Sequence, residues 1–436
     1  MRHRMQSQIL ICRFRGKALT MVLVFIVGLV VLPGGAMLAV GQTYTVLHNF
    51  TGPDGSEPLA GVTLDNAGNL YGTTLSGGPG HYGVVYKLKR QGSGYLYEVL
   101  YGFTGHEDGY AIHYGIAIGP DGRPYGAATQ SLDGYGNVFT LSPPATFCRT
   151  VSCPWSLTLL HTFTGRPDGS YPGMTSKLVF DGDGSIYGNT PTGGAIGYGT
   201  IYQLTNSILG WQESVLYSFG GYQDGSEPWH NVVIGNDGSL YGTTYSGGLY
   251  PPGDGTVFQL SPSPTGWVKT ILASFSRTGP EGGFIQAGLI TDAVGNLYGA
   301  TSGGGSGGGG TVFEVSPSAN GWVLQLLYSF SGDNYWGPAG NMVMDPEGNL
   351  YGTTVKDGAY GAGSIFELTP SSDGLWNYST LYNFTGALDG AQPMGRLGER
   401  RQRNSLRNDF GRRNRLLRSG VEVSAIKDDV HKCQMQ

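Results

Sequence analysis

Four Asp-Gly turns are the first places in this chain where chemistry could reside. They are PDGSEP at residues 53–58, RPDGSYP at 166–172, YQDGSEP at 222–228 and ALDGAQP at 387–393. Asp54, Asp168, Asp224 and Asp389 could offer carboxylate and carbonyl oxygens to Ca²⁺, but one Asp per loop falls short of a calcium cage. Ca²⁺ is therefore a weak expectation, and no cofactor or resident metal is predicted. A second group breaks an internal repeat of about 55 residues: His113 and Tyr114, Trp229 and His230, and Trp336. Neither a carboxylate pair for acid–base work nor a His/Asp/Glu metal set accompanies them. No catalytic residue is assigned. The run TSGGGSGGGG lacks the Lys-Ser/Thr ending and the following helix of a phosphate loop. In ATFCRTVSCPW, Cys148 and Cys153 read as a disulfide in an insertion, since an exported protein with two nearby Cys favours a bridge.

The elements that must carry these residues are strands. Gly is 76 of 436 residues, charged residues are 13%, aromatics are 12%, and Tyr alone numbers 27. So few charges exclude a coiled coil or helical array. Gly without a three-residue period excludes collagen, and the Tyr, Phe, Val and Thr content argues against disorder. A turn-rich all-β protein remains.

Three motifs recur in constant order. The first ends in Phe: VLHNF at Phe50, VLYGF at Phe103, LLHTF at Phe163, VLYSF at Phe219, ILASF at Phe275, LLYSF at Phe330 and TLYNF at Phe384. The second is centred on Tyr71, Tyr125, Tyr187, Tyr241, Tyr298 and Tyr351, as in NLYGTT; the third is GVVYKL, GNVFTL, GTIYQL, GTVFQL, GTVFEV and GSIFEL. Each unit holds four short β segments bounded by Gly, Asn, Asp and Pro. A four-stranded unit repeated about seven times predicts a β-propeller, with residues 42–397 as one ring whose last blade is incomplete. The repeated Tyr and Phe are expected to pack between blades.

The combination D-x-x-G-N-L-Y-G-T-T, G-T-V-F-x-L and L-Y-S-F resembles the GloVer (Gloeo/Verruco) tandem-repeat family of exported bacterial proteins, over about residues 43–397. That family has no established biochemical activity, so the resemblance implies an exported repeat protein and nothing catalytic. Its members often carry a C-terminal surface-sorting anchor; this chain shows none. The D-x-x-G-N-L-Y core is also similar to NHL and gluconolactonase-type propeller repeats. That similarity implies that GLITD is an innermost strand and LLYSF an outermost one. The Asp-Gly turns and the S-G-G loops then share one rim, with Asp54, Asp168, Asp224, Asp389, His113, Trp229, His230 and Trp336 as its candidate ligand residues. The expected function is an exported, non-catalytic propeller, monomeric, that binds glycan or protein at this loop-rich face. The alternative is a propeller hydrolase or lactonase acting on sugar derivatives.

Charge is uneven. Residues 1–41 carry 5 basic and no acidic residues, 42–397 carry 11 and 26, and 398–436 carry 10 and 5. The acidic body disfavours nucleic acid as a partner. Arg2, Arg4, Arg13, Arg15 and Lys17 precede the apolar run 18–32, and small residues follow at 39–41. This is the order of a secretory signal, so residues 1–41 are read as a signal peptide and the product as secreted or surface-exposed. No second membrane span is present in the sequence. Residues 398–436 form an Arg-rich tail in place of the next D-x-x-G-N-L-Y-G-T-T. Codons permitted for residues 398–411, moved by one base, read G-N-D-A-S-G-T-A-Y-G-T-T-S. The tail is therefore read as frameshifted and disordered. Thr43–Phe50, an outermost-type strand, is expected to complete the last blade and to lack a neighbour there.

Overall fold

The computed structural model describes residues 7–13, 43–92, 94–113, 115–131, 134–144, 155–173, 177–230, 232–249, 253–332, 337–338, 340–387, 391–393 and 422–426. Each repeat forms a four-stranded antiparallel meander in chain order, and six such sheets follow one another. They are blade 1 (63–102), blade 2 (117–162), blade 3 (179–218), blade 4 (233–274), blade 5 (290–331) and blade 6 (343–383). The protein is an all-β propeller. The expectation of about seven blades is corrected to six complete ones among the described residues. The first Phe motif ends Thr43–Phe50, which precedes blade 1, and the inner strands of a seventh unit would fall in 394–421, outside the described residues. Thr43–Phe50 has a neighbour where the sequence suggested none: it pairs with Ser7–Arg13, which pairs in turn with Glu422–Ile426. The stretches 14–42, with the apolar run, and 394–421 lie outside the described residues. Among those described, no helix is long and apolar enough to cross a membrane.

The motifs act locally before they pack. In D-x-x-G-N-L-Y the Asp side chain closes the turn between first and second strands. Asp65 Oδ1 accepts from the Ala67 and Asn69 amides, and its Oδ2 accepts from Asn69 Nδ2 at 2.8 Å and from the Tyr71 hydroxyl at 3.2 Å. Asp292 and Asp345 repeat the pattern. The motif Tyr thus bonds the motif Asp, as local side-chain capping of a turn requires. The Gly after that Tyr is dictated by an aromatic ring of the third strand. A Cβ on Gly352 would stand 2.4 Å from the Phe366 ring, and one on Gly299 2.4 Å from Phe313. Only Gly admits so close an approach.

That aromatic ring also receives the preceding blade. Phe103 meets Phe139 at 5.3 Å between centroids, Phe163 meets Tyr202 at 5.0 Å, Phe219 meets Phe258 at 5.3 Å, Phe275 meets Phe313 at 4.7 Å and Phe330 meets Phe366 at 5.2 Å. Phe50, from the strand before blade 1, meets Tyr86 at 5.3 Å. Each repeat therefore sends its phenylalanine forward into the next, mostly edge to face, the favoured aromatic geometry. Five buried clusters each join two consecutive blades, and a sixth joins Phe50 to blade 1. Hairpin tryptophans reach backward: Trp211, Trp322 and Trp376 contact Tyr125, Tyr241 and Tyr298 of the preceding blade. The second strands are buried throughout, whereas the fourth alternate between exposed and half-buried residues.

Candidate functional site: a loop-rich rim

The Asp-Gly turn before each blade meets the S-G-G loop of that blade. Ser56 bridges Ser76, Ser170 bridges Thr192, Ser226 bridges Ser246, and Gly283 bridges Gly303. The two loop sets thus share one rim, as the strand order predicts.

The turn carboxylates are occupied by their own chain. Asp54 accepts from the Thr51 amide at 2.7 Å, its hydroxyl at 2.9 Å and His48 Nε2 at 2.8 Å. Asp168, 7% exposed, accepts from the Thr164 amide and hydroxyl and from His161 Nε2 at 3.1 Å. Asp224 accepts from the Gly220 amide, the Tyr217 hydroxyl and Lys269 Nζ. Each caps the chain leaving the previous fourth strand. Hydrogen bonding holds the Asp54 and Asp224 carboxyls below the ordinary range, although burial, the largest single influence, opposes it. Asp389, Trp336, Tyr114, Cys148 and Cys153 lie outside the described residues. Among the described residues, no group of three or more His, Cys, Asp or Glu is placed to hold a metal ion.

A side chain from the fourth strand locks the turn in blades 1 and 4, and here the blades differ. Tyr97 donates to the Asp54 carbonyl. Lys269, with its side chain 3% exposed, bonds the Asp224 carboxylate at 2.9 Å as well as the Asp224 carbonyl, and lies over the Phe219 ring at 5.3 Å. Blade 3 places Glu213 in this register: Glu213 pairs with Leu204 as Lys269 pairs with Leu260 and Tyr97 with Leu88. Glu213 faces Asp168, so two acids meet. Burial, with the Asp168 charge adding to it, pushes the Glu213 carboxyl up to about 7.

One position past the Asp-Gly-Ser turn adopts a left-handed backbone in six units without being Gly: Glu57, Ala111, Tyr171, Glu227, Phe284 and Gln392, with φ between 52° and 61°. Such residues cost on the order of 1 kcal/mol each and persist only where surroundings require them. The requirement here is a main-chain clamp between blades. The Tyr171, Glu227, Phe284 and Gln392 amides donate to carbonyls of the preceding blade, at Tyr135, Tyr198, Asp254 and Ala362. The Glu57, Ala111, Glu227 and Phe284 carbonyls accept from their own blade at Leu75, Thr129, Tyr245 and Ser302.

Aromatic side chains give this rim its character. Trp229 is half-buried and stacks on Tyr245 at 3.9 Å and 9°; Tyr245 stacks on Phe284 at 5.4 Å, and the Arg277 guanidinium lies over Phe284 at 5.1 Å. The neighbouring His230 is 4% exposed. His113 occupies the Trp229 position of blade 2, where burial pulls its imidazole pKa down. On the other side of the rim, Tyr82, Tyr135 and Tyr198 stand one residue before the third strand's opening Gly in blades 1, 2 and 3, and are 44%, 41% and 46% exposed. Sequence reasoning passed over them, although the runs HYG, GYG and GYG were visible. It also passed over Lys269 and Glu213.

No curated protein matches the chain. Among solved structures it is similar to the extracellular domain of a hybrid two-component system from B. thetaiotaomicron, at 10% identity over 78% of this chain and 35% of that one, with TM-score 0.49. The chain thus spans about a third of that protein's length. It is similar also to a gluconolactonase from Xanthomonas campestris, at 14% identity over 69% and 84%, with TM-score 0.39. A third is an ulvan lyase of polysaccharide lyase family 25, at 14% identity over 74% and 84%, with TM-score 0.45. In sequence, the Gloeobacter/Verrucomicrobia repeat matches residues 36–208 and 175–406. Those two matches take in every blade, and the chain belongs to the Gloeobacter/Verrucomicrobia repeat family.

Proposed function

We propose that this protein is an exported, non-catalytic propeller that binds extracellular glycan at its loop-rich rim. The observation that carries the reading is the contrast on that rim between its polar and aromatic groups. The described Asp-Gly carboxylates are committed to turn bonds, whereas tyrosines at one repeated position stand nearly half exposed. Aromatic rings offer apolar area at low entropic cost, and a phenol adds a hydrogen-bonding edge; together they suit the mixed faces of a sugar.

Glycan-array binding by the frame-repaired chain, with and without Ca²⁺, tests this. Retention of glycan unchanged by chelator is the expected result. Retention of protein ligands alone would replace glycan by protein as the partner. Turnover of a bound sugar derivative would move the reading to a hydrolase or lactonase.

A further inference from the structure

We infer that Tyr82, Tyr135 and Tyr198 form a rail that binds one linear, uncharged polysaccharide along blades 1 to 3. The inference rests on the glycan reading above and names the class of glycan and the residues that take it.

Each of the three rings is pinned in the same way. Tyr82 lies over Gly105, Tyr135 over Gly165 and Tyr198 over Gly221, so near that a Cβ on any of these glycines would come within 2.6–2.7 Å of the ring. The backbone beside two of them is fixed as well, since the Tyr135 and Tyr198 carbonyls accept the left-handed amides of Tyr171 and Glu227 in the next blade. Ring and main chain are thus set before any ligand arrives, which lowers the ordering cost of binding. Even so, the rings remain 41–46% exposed. Their hydroxyls make no hydrogen bond among the described residues. A buried packing tyrosine in this fold behaves otherwise: Tyr71, 4% exposed, gives its hydroxyl to Asp65.

The pattern selects the ligand. Three equivalent platforms, repeated blade by blade, match a ligand that itself repeats, and a chain that touches all three gains by multivalency. The rail is confined to one side of the rim. In blades 4, 5 and 6 the equivalent residues are Asp254, which is buried, Gly309 and Ala362. Beside the rings stand the part-exposed glycines Gly80, Gly134 and Gly197, which add no apolar side chain. That surface suits hydroxyl groups better than aliphatic side chains. Net charge disfavours polyanions: residues 42–397 carry 26 acidic against 11 basic residues, although the Arg166 guanidinium lies beside Gly197.

Affinity electrophoresis tests the rail with the full chain. Glucomannan, hydroxyethyl cellulose and dextran serve as neutral probes, alginate and pectate as acidic ones. The variants are Tyr82→Ala, Tyr135→Ala, Tyr198→Ala and the triple, with the triple Tyr→Phe variant as a conservative rescue and Leu209→Ala as a distant control. The expected result is retardation by at least one neutral polymer. It weakens about 3- to 10-fold per alanine and at least 30-fold in the triple, survives in large part in the Phe variant, and is unchanged in the control. Thermal midpoints of the alanine variants close to the parent separate lost binding from lost folding. Undiminished binding of a neutral glycan by the folded triple variant would overturn the rail and leave the glycan reading standing. Preference for alginate or pectate would overturn the uncharged class. Failure of every glycan on the array would overturn the parent reading itself.

Discussion

Glu213 is the sharpest test of the lock between turn and fourth strand. In its register blades 1 and 4 place a donor, Tyr97 or Lys269, against the turn. Glu213 can donate only when protonated, and its buried Oε1 has no hydrogen-bond partner. Its carboxyl titrates near 7 in the folded chain, against an ordinary value of 4.5. A carboxyl raised on folding favours the protonated state, so its contribution to stability is fully present below about pH 4.5 and is lost as pH rises through about 7. The gap corresponds to about 3 kcal/mol without screening. Glu213 is only part-buried, and solvent brings the figure to about 1–2 kcal/mol. Glutamine keeps the shape and donates at every pH. The Glu213→Gln variant should therefore unfold with nearly the parent's midpoint at pH 4.5 and be about 1–2 kcal/mol more stable at pH 8.5. Urea titrations of both proteins at the two pH values read this directly. A difference independent of pH, or a parent more stable than the variant at pH 8.5, would refute the reasoning.

Three more expectations follow from the repeat. Gly352→Ala drives a Cβ into the Phe366 ring and should cost about 1–3 kcal/mol by overpacking, whereas Gly348→Ala, which meets nothing, should cost only the strain of its positive φ; paired melts compare them. Tyr86 and Tyr202 are wholly buried with unpartnered hydroxyls where four other blades carry Phe, so Tyr86→Phe and Tyr202→Phe should leave the midpoint unchanged or raise it by up to about 1 kcal/mol; a clear drop would show a hidden partner. Non-reducing mass mapping after periplasmic expression should find Cys148 joined to Cys153, and two free thiols would dismiss the bridge.

Much of the fold was legible because every motif residue does one local task that its type announces. Asp65, Asn69 and Tyr71 close one turn among themselves, and a Gly between Tyr and Thr marks a ring lying above it. The blade count was harder. Seven phenylalanines do not make seven blades when the first, Phe50, ends a strand that stands before the first sheet. The rim was read by residue type, which does not show where a side chain's atoms are already committed. Asp54 and Asp168 each bond the Thr three or four residues earlier, in T-G-P-D-G and T-G-R-P-D-G. Tyr82, Tyr135 and Tyr198 carry the opposite lesson. Sequence reasoning passed over them, and only the packing of Gly105, Gly165 and Gly221 beneath them reveals which side of each ring is left to water. Glu213 could not be found from sequence, because its neighbour Asp168 is brought to it by the register of a hairpin.

The forward reach of each phenylalanine gives the propeller a direction in time. A nascent blade emerges with its phenylalanine pointing toward a unit still being synthesised, and that side chain finds its pocket only when the next third strand follows. Phe103 waits 36 residues for Phe139, and Phe330 waits 36 for Phe366. At about 5–20 residues per second, that is an exposure of a few seconds per blade. Assembly can thus advance by short-range steps of low contact order. Order along the chain thus becomes order in time, each blade being finished by the one that follows it.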